Sequence, residues 1–599
     1  MIYHCEDHTC NYWDEGEKLP ERCPQCGRKL LRANEADMTG DDWTALGNTL
    51  WDAEASDKKR MVDCFRKAAY LGSAWGVCNL GICMEQGNGV EADPVQAFWL
   101  YQQAVEMGSL NAVCCLGVCY EYGIGTAPDA EKAAELYCKA AEYGSPRGQM
   151  LLARAFHDGI GVEADAAEAV YWVRAAAYQR YGEGMYRLGV CYEYGDGVEQ
   201  NREHAVHWFR EAAESGVSAA MAVLGYCYEK GCGVEQSWEQ AFSWYRRGAE
   251  CGNLQSMHNL GYCYEKGCGV EQSWEQAFSW YRRGAECGYP VSMGNLGWCY
   301  KKGHGVEQNW QEAIKWYEQG AQCGDLQSMH NLACCYERGE GVEQNEDRAL
   351  YWYRRGAEAG SDYCMYCLGW NYSNGEGVEQ NMTEAIRWYT AAAEGGNADA
   401  MHDLGWHYDH GEGVEQDMKK AICWYERAAE QNHPAAMNSL GECYAMGLGV
   451  PRDLETAMEW YRRAAELGEA MADYNMGWHL EQAGKLSEAY AHYRKAADGN
   501  DDSAWWALGR FYENGVVVAQ DGKEARRCYE TGEKLGSVKC KMRLARCKLL
   551  GIGGRRAKKA GLDLCRQALE LAKESSEKED YGYEAEMNLL RRTIAENES

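Results

Sequence analysis

A leucine followed by a very small residue recurs along this chain at a fixed interval. The interval is 36 residues throughout the central series, in which Met476 replaces the leucine once. One copy precedes that series by 34 residues and two follow a shortened unit, so about fifteen copies lie between residues 34 and 575. A period this strict identifies a repeat array, in which each unit buries its surface against its neighbours. The repeat leucines are Leu46, Leu80, Leu116, Leu152, Leu188, Leu224, Leu260, Leu296, Leu332, Leu368, Leu404, Leu440, Leu508 and Leu544.

Each copy has the pattern of two helices separated by turns. In the copy around Leu224, the apolar residues Met221, Leu224 and Tyr228 are three and four positions apart, which places them on one face of a first helix. Residues 231–234 are Gly-Cys-Gly-Val, and glycine suits a turn that needs positive φ. A tryptophan such as Trp244 lies 20 residues after most repeat leucines. We expect these tryptophans to form a packing spine of the array, and the tyrosines equivalent to Tyr228 to form a second one.

The residue after the repeat leucine is glycine in twelve copies and alanine in three, namely Ala153, Ala333 and Ala545. Glycine inside a helix costs about 1 kcal/mol relative to alanine, so its recurrence needs a structural reason. We expect two helices to touch at this point.

The order Leu-Gly, Gly-x-Gly-Val, Ala-x-x-Trp-Tyr and Ala-Ala-Glu-x-Gly resembles the Sel-1-like repeat family, whose units are related to tetratricopeptide repeats. The resemblance covers roughly nine tenths of the chain. It implies an all-α fold, an α/α superhelical solenoid of about fifteen helix-turn-helix repeats, and a role as an adaptor that holds partner proteins together. The copy at Met476 departs from the pattern, since residues 482–485 (Gln-Ala-Gly-Lys) replace the glycine loop with a shorter turn.

A separate motif precedes the array. Four cysteines have the spacing C-x4-C-x12-C-x2-C, and the second pair lies in Cys-Pro-Gln-Cys-Gly, a knuckle that can bind one tetrahedral ion. The segment resembles a zinc ribbon or a rubredoxin-like module, which implies one structural Zn²⁺, with iron as the less favoured metal. Because the first pair is more widely spaced than usual, His4 or His8 is an alternative to one cysteine ligand. The four cysteines are Cys5, Cys10, Cys23 and Cys26.

These features divide the chain into three parts. We predict a zinc-ribbon-like module over residues 1–33, the solenoid over 34–575, and a C-terminal cap and tail over 576–599.

The charge of the chain restricts its partners. The net charge is −31, from 61 basic and 92 acidic side chains, which repels nucleic acid and anionic membranes. We therefore expect protein or peptide partners that are basic or neutral, and no nucleic acid. No apolar stretch reaches the length that spans a bilayer, so we expect no membrane insertion. One basic stretch, residues 534–559, is interpreted as a solvated capping face, with a docking patch for an acidic surface, such as a second copy, as the alternative.

The chain contains 30 cysteines, and nine of them lie three residues after a repeat leucine. At that position a thiol behaves as a small hydrophobic side chain, so we interpret most of them as reduced core residues. The start of the chain has neither the basic segment nor the apolar run of a secretory signal, and we expect a cytoplasmic protein. Disulfide pairing in an exported protein is the alternative. The nine cysteines are Cys83, Cys119, Cys191, Cys227, Cys263, Cys299, Cys335, Cys443 and Cys547.

No constellation of catalytic residues interrupts the array, and we predict no enzyme activity. The histidines His258, His330 and His402 repeat with the array, which favours a surface or groove position over catalysis. Residues 225–252 recur letter for letter as 261–288, which suggests that length of surface matters more than any single residue.

A partner-binding groove is predicted from the helical wheel of the first helix. Positions two and one before the repeat leucine and two after it lie opposite the buried stripe, and they carry asparagines and large aromatic side chains. In the related tetratricopeptide repeats, asparagines of the first helix hydrogen-bond an extended peptide, and an amide has both a donor and an acceptor. The alternative is that the tryptophans pack against the next repeat. We call the predicted set the Asn/aromatic groove: Asn259, Tyr262, Asn295, Trp298, Asn331, Trp370, Trp406, Asn475 and Trp478.

The sequence therefore predicts a non-enzymatic scaffold that binds protein or peptide partners along the concave face of a solenoid. Three alternatives remain open: a regulatory adaptor that self-assembles and recruits a partner through its zinc ribbon, an exported disulfide-stapled binder, and a hydrolase.

Overall fold

The computed structural model describes residues 2–5, 13–15, 30–33, 38–51, 55–578 and 584–598. Three short strands, β1 (Ile2–Cys5), β2 (Trp13–Glu15) and β3 (Leu30–Ala33), form an antiparallel sheet in the order β2-β1-β3. Tyr3 is opposite Asp14 in β2 and opposite Arg32 in β3. Zinc binding stays a prediction, because its candidate ligands lie outside the described residues. They are Cys10, Cys23, Cys26, His8 and the side chains of Cys5 and His4.

All remaining elements of the described chain are helices, and they belong to two compact units, residues 1–309 and 310–599. The first unit contains α1 (Gly40–Thr49), α2 (Ala55–Tyr70), α3 (Ala74–Gln86), α4 (Pro94–Glu106), α5 (Leu110–Tyr122), α6 (Ala130–Glu142), α7 (Pro146–Asp158), α8 (Ala166–Tyr178), α9 (Gly182–Tyr194), α10 (Arg202–Glu214), α11 (Ser218–Lys230), α12 (Trp238–Glu250), α13 (Leu254–Lys266), α14 (Trp274–Glu286) and α15 (Pro290–Lys302). The second unit contains α16 (Trp310–Gln322), α17 (Leu326–Arg338), α18 (Glu346–Glu358), α19 (Asp362–Asn374), α20 (Met382–Glu394), α21 (Ala398–His410), α22 (Met418–Glu430), α23 (Pro434–Met446), α24 (Leu454–Glu466), α25 (Ala470–Gln482), α26 (Leu486–Asp498), α27 (Asp502–Asn514), α28 (Gly522–Lys534), α29 (Val538–Leu550), α30 (Lys558–Lys578) and α31 (Glu584–Glu598).

The helices alternate as the repeat pattern predicts. Odd-numbered helices from α1 to α29 carry the repeat leucine and are called first helices, and the even-numbered ones up to α30 are second helices. Within each unit a first helix packs on the second helix that follows it, for example α11 on α12 and α23 on α24, and then on the second helix before it. Neighbouring first helices also contact each other, for example α5 and α7. The predicted all-α solenoid is confirmed.

The repeat around α13 shows how the turns are built. The Asn253 side chain caps the helix by accepting the backbone N–H of Ser256 at 2.8 Å. Gly267 ends the helix with φ +73° and donates its N–H to the carbonyl of Cys263, a left-handed C-cap. Gly269 has φ +71°, and a Cβ there would collide with the carbonyl of Trp238 on the preceding second helix. Glycine is thus required at this turn by both the backbone conformation and the close approach of α12.

The main spine of the core is formed by tyrosines of the second helices. The prediction that the tryptophans form this spine is wrong. A tyrosine follows the repeat tryptophan in seven second helices and is at most 2% exposed in all seven, as Tyr245 and Tyr461 show. Among the repeat tryptophans only Trp244 is buried, at 8% exposure. The tryptophans lie at the edge of the core, and several carry an arginine over the ring, as Arg247 lies 4.3 Å from the Trp244 ring centre.

The buried tyrosine explains the glycine after the repeat leucine. A Cβ on Gly225 would lie 2.5 Å from the Tyr245 ring, and a Cβ on Gly441 would lie 2.5 Å from the Tyr461 ring. The predicted helix contact is therefore confirmed, and its partner is the tyrosine ring. Two of the three alanine copies have a smaller residue at the tyrosine position, Val173 after Ala153 and Cys565 after Ala545; Ala333 is the exception, because its copy keeps Tyr353.

Eight of the nine cysteines that follow the repeat leucine by three residues are buried, and Cys191 is half-buried. Burial raises the pKa of the Cys83 thiol to about 11 and that of Cys227, Cys263 and Cys443 to about 12, so these side chains are neutral thiols at pH 7. The prediction that they are core residues is confirmed, with Cys191 as the exception.

The last helix, α31, packs on α29 and α30 and uses part of the basic stretch 534–559. Arg543 donates from Nε to Glu586 at 2.7 Å and from Nη1 to Glu513 at 3.3 Å, and Arg546 also pairs with Glu513. These arginines are internal to the second unit, which favours the capping interpretation of the stretch over a docking patch.

Candidate partner-binding site

The first helices carry every residue of the Asn/aromatic groove, in both units. In the first unit, Asn259 and Tyr262 lie on α13, and Asn295 and Trp298 on α15. In the second unit, the remaining members lie on α17, α19, α21 and α25. All of them are half-buried or exposed, so each side chain has some surface in contact with solvent. The members of the second unit are Asn331, Trp370, Trp406, Asn475 and Trp478.

The aromatic members differ in how much surface they leave open. Trp370, Trp406 and Trp478 are 39%, 37% and 41% exposed, and Tyr262 is 39% exposed. Trp298 is instead half-buried, with its ring centre 5.6 Å from that of Trp274 and in contact with the His304 ring. The three exposed tryptophans thus have the surface that a partner needs, whereas Trp298 packs against Trp274 of the preceding repeat and not, as the alternative predicts, against the next one.

The asparagines form side-chain hydrogen bonds within their units. Asn475 donates to Asn438 Oδ1 and to Glu442 Oε1, both at 3.0 Å, which links α25 to α23. Asn331 accepts from Gln327 at 3.2 Å. Because Asn475 uses its NH₂ group in these bonds, its carbonyl oxygen keeps a lone pair with which to accept an N–H of a bound peptide.

The histidine two residues before the repeat leucine is not on an open face, contrary to the helical-wheel prediction. His258 is half-buried, with its ring centre 5.7 Å from that of Tyr281 and 5.9 Å from that of Tyr289. Burial lowers the pKa of His258 to about 4, so the side chain is neutral at pH 7. His402 has an equivalent place, stacked on His433 at 5.1 Å. These histidines fill the junction between consecutive repeats.

The sequence reasoning missed a buried hydrogen bond that recurs through the array. The hydroxyl of the buried tyrosine donates to a glutamate five residues after the repeat leucine, as Tyr245 does to Glu229 at 2.7 Å and Tyr137 to Glu121 at 2.6 Å. Burial and the adjacent carboxylate raise the pKa of both tyrosines far above the usual range. The signal was present in the sequence as glutamate and tyrosine 16 residues apart.

A cavity lies in each unit, and neither of the two is lined by residues of the Asn/aromatic groove. The cavity of the first unit has a volume of about 490 Å³ and lies between α7, α8 and α9. That of the second unit, about 570 Å³, lies along α18 beside Gly377 and Val378. In the part of the chain that the structure describes, no group of three or more His, Cys, Asp or Glu side chains is arranged to hold a metal ion. None of the described helices is both long enough and apolar enough to cross a membrane.

The Sel1 repeat model matches thirteen consecutive segments of the chain, which together reach from residue 76 to residue 537. The chain belongs to the Sel1 repeat family. The Sel1 segments coincide with the helix pairs described above, starting at α3 and ending beyond α28. The matched segments are 76–109, 112–145, 146–181, 182–217, 218–253, 254–289, 290–325, 326–361, 362–397, 398–433, 434–469, 470–501 and 504–537.

Solved Sel1 structures resemble this chain. The protective antigen c5321 of uropathogenic Escherichia coli strains, which displays the Sel1-like repeat fold, is 32% identical over 75% of this chain and 97% of that protein, with a TM-score of 0.52. A Sel1 repeat protein from Oxalobacter formigenes is 29% identical over 41% of this chain and 96% of its own, with a TM-score of 0.38. No curated protein is significantly similar to the chain. Sel1 solenoids are commonly used for protein–protein interaction and are typically non-enzymatic scaffolds.

Proposed function

We propose that this Sel1 repeat protein is a non-enzymatic scaffold that binds protein or peptide partners along its Asn/aromatic groove. The observation that carries the proposal is the exposure of Trp370, Trp406 and Trp478, which occupy the same position on three first helices of one unit. Large aromatic side chains that remain open to solvent are favourable anchors for a partner. The amide of Asn475 lies one helical turn before Trp478 on α25 and adds a hydrogen-bond acceptor.

The charge of the protein sets the chemistry of the partner. A net charge of −31 favours a basic or neutral segment and disfavours nucleic acid. We further propose that the protein works in the cytoplasm, where thiols stay reduced, because the repeat cysteines are buried as neutral side chains. The zinc-ribbon-like module at residues 1–33 is included in the proposal as a second, separate docking element that binds one structural Zn²⁺ through Cys5, Cys10, Cys23 and Cys26.

The test is affinity capture from cells with the W370A/W406A/W478A variant. A matched control replaces two tryptophans of the first unit that are outside the groove and at least as exposed, Trp75 at 48% and Trp99 at 53%. We expect the groove variant to lose the partners that the parent protein and the W75A/W99A control both retain. Circular dichroism should show unchanged helix content in all three proteins.

A protein lacking residues 1–33 assigns each captured partner to the ribbon or to the solenoid. Capture of the same partners at the same level by the parent and the W370A/W406A/W478A variant would show that the groove is not the binding surface. Native mass measurement of the purified protein separates the scaffold from the self-assembling alternative.

A further inference from the structure

Two repeats lack all three residues of the buried tyrosine contact. In the last repeat Ala545, Leu549 and Cys565 occupy these positions. The other is the repeat formed by α7 and α8. Its tyrosine position holds Val173, its glutamate position holds His157, and its glycine position holds Ala153. In the preceding repeat the same three positions hold Tyr137, Glu121 and a glycine that touches the tyrosine ring. The ring that fills the space between first and second helices in most copies is therefore absent from this repeat.

The cavity of the first unit lies at this repeat. Ala169, Val170 and Val173 of α8 form part of its apolar lining, and α7 and α9 form the sides, with Met150 and Val190 among the lining residues. Its volume of about 490 Å³ is within the range of pockets that bind ligands. Seven of the sixteen lining residues are aliphatic, and this part of the cavity favours an apolar group of the occupant.

The half-buried thiol of Cys191 is an independent observation that the packing is incomplete at this cavity. Cys191 lines the cavity, and it alone among the nine thiols that follow a repeat leucine by three residues is not fully buried. The space left by the missing tyrosine thus reaches a position that is closed in the other repeats.

Guanidinium groups line the cavity beside this apolar surface. Arg147 and Arg187 are exposed, on α7 and α9 respectively, and Arg147 donates from Nη1 to Cys115 Sγ at 3.7 Å, which leaves its other N–H groups for a ligand. Arg154 pairs with Glu121 at 2.5 Å through Nη2, and its Nε is buried without a hydrogen-bond partner among the described residues. His157 contacts the carboxylates of Asp158 at 2.6 Å and Asp196 at 3.3 Å. Two of the three lining carboxylates are therefore already partnered, and the third belongs to the exposed Glu183.

We propose that this cavity is a binding site for an acidic segment of a partner protein, which inserts one aromatic side chain where the other repeats have their own tyrosine. A carboxylate next to that aromatic residue binds Arg147 and Arg187, because guanidinium and carboxylate form paired, charge-assisted hydrogen bonds. This site, like the proposed groove, would bind a protein partner, but it contains none of the groove residues. The acidic preference is the opposite of that expected from the net charge, and it follows from the local arginines.

The decisive variant is A153G/V173Y, which restores the glycine and tyrosine that the neighbouring repeats contain. Because that pair fits in the other copies, the variant should fold, with helix content and melting temperature at or above those of the parent. The probe is a fluorescently labelled synthetic peptide in which one phenylalanine is flanked by glutamates, and the measurement is fluorescence anisotropy at low salt. We expect the filled variant to bind at least about tenfold more weakly than the parent.

A second variant, Arg187→Gln, tests the charge without altering the apolar part of the cavity. It should weaken binding of the glutamate peptide several-fold and leave binding of a glutamine version of the peptide unchanged. An alanine in place of the phenylalanine should abolish binding to the parent protein.

The W370A/W406A/W478A variant should bind the probe as the parent does, so that failure of this site and failure of the proposed groove are distinguished. The inference is overturned if the parent does not bind the probe, if A153G/V173Y binds it as tightly as the parent, or if the groove variant loses it.

Discussion

The contact between Gly441 and the Tyr461 ring allows a quantitative test of the packing argument. An alanine at position 441 would place its Cβ 2.5, 2.6 and 3.0 Å from three atoms of the Tyr461 ring, which is 1% exposed. Alanine is favoured over glycine in a helix by about 1 kcal/mol. Overpacking a filled core costs about 1–3 kcal/mol. Because the ring is enclosed and three of its atoms are approached, we take the upper value and expect a net loss of about 2 kcal/mol.

The same substitution should have the opposite sign when the ring is removed. Tyr461→Val alone creates a cavity and costs at most about 3–5 kcal/mol, the range for a buried aromatic side chain truncated to alanine. In that background Gly441→Ala should stabilise by about 1 kcal/mol, since only helix propensity remains. The two sites are then coupled by about 3 kcal/mol, a value that a double-mutant cycle measures. The chain itself combines Ala153 with Val173 in one repeat, which is the natural counterpart of the double variant.

Urea unfolding followed by circular dichroism gives the stability of the four proteins of the cycle. Since long repeat arrays do not always unfold in one step, hydrogen exchange of the peptides covering α23 and α24 provides the local measurement. The reasoning is refuted if Gly441→Ala stabilises the parent by as much as it stabilises the Tyr461→Val protein.

Three further predictions concern charge, thiols and the C-terminal cap. The pKa of His258 is about 4 in the folded protein and has its ordinary value in the unfolded chain. The contribution of this group to the free energy of unfolding is therefore fully present above about pH 6.5 and is lost as the pH falls towards 4. A His258→Gln protein should show a smaller decline of the free energy of unfolding across that window in urea titrations. Iodoacetamide at pH 8 should label the exposed Cys423 and spare Cys443, which is 1% exposed with its pKa raised to about 12, and equal labelling by peptide mapping would contradict the burial. Glu586→Gln should weaken the partly buried pair with Arg543 and expose α31 to limited proteolysis, whereas cleavage at the parent rate would show that the pair does not hold the cap.

Much of the fold follows from local information. The spacing of Leu224 and its neighbours predicts the first helix, and the glycines of residues 231–234 predict the turn, because helix periodicity and positive φ depend only on nearby residues. The prediction of a helix contact at the glycine after the leucine also held. The prediction of a spine made of the repeat tryptophans did not hold, since the tyrosine next to most of them points about 100° away on the helix and is the ring that the core encloses.

The binding surface could be predicted only in part. Exposure of Trp370, Trp406 and Trp478 agrees with the helical wheel, whereas His258 and Trp298 lie in contacts with neighbouring side chains. Such contacts join residues from different helices, and the wheel of a single helix contains no information about them.

By itself, the sequence determined the repeat length, the helix–turn–helix pattern, the positions where only glycine fits a turn, and membership of a repeat family, because each depends on residues within one 36-residue unit. Only the tertiary structure decided which aromatic ring becomes the core, which glutamate its hydroxyl binds, and where a missing ring leaves a cavity. Those outcomes depend on how second helices pack between successive first helices, and packing is settled by the combined shapes of residues far apart in the chain.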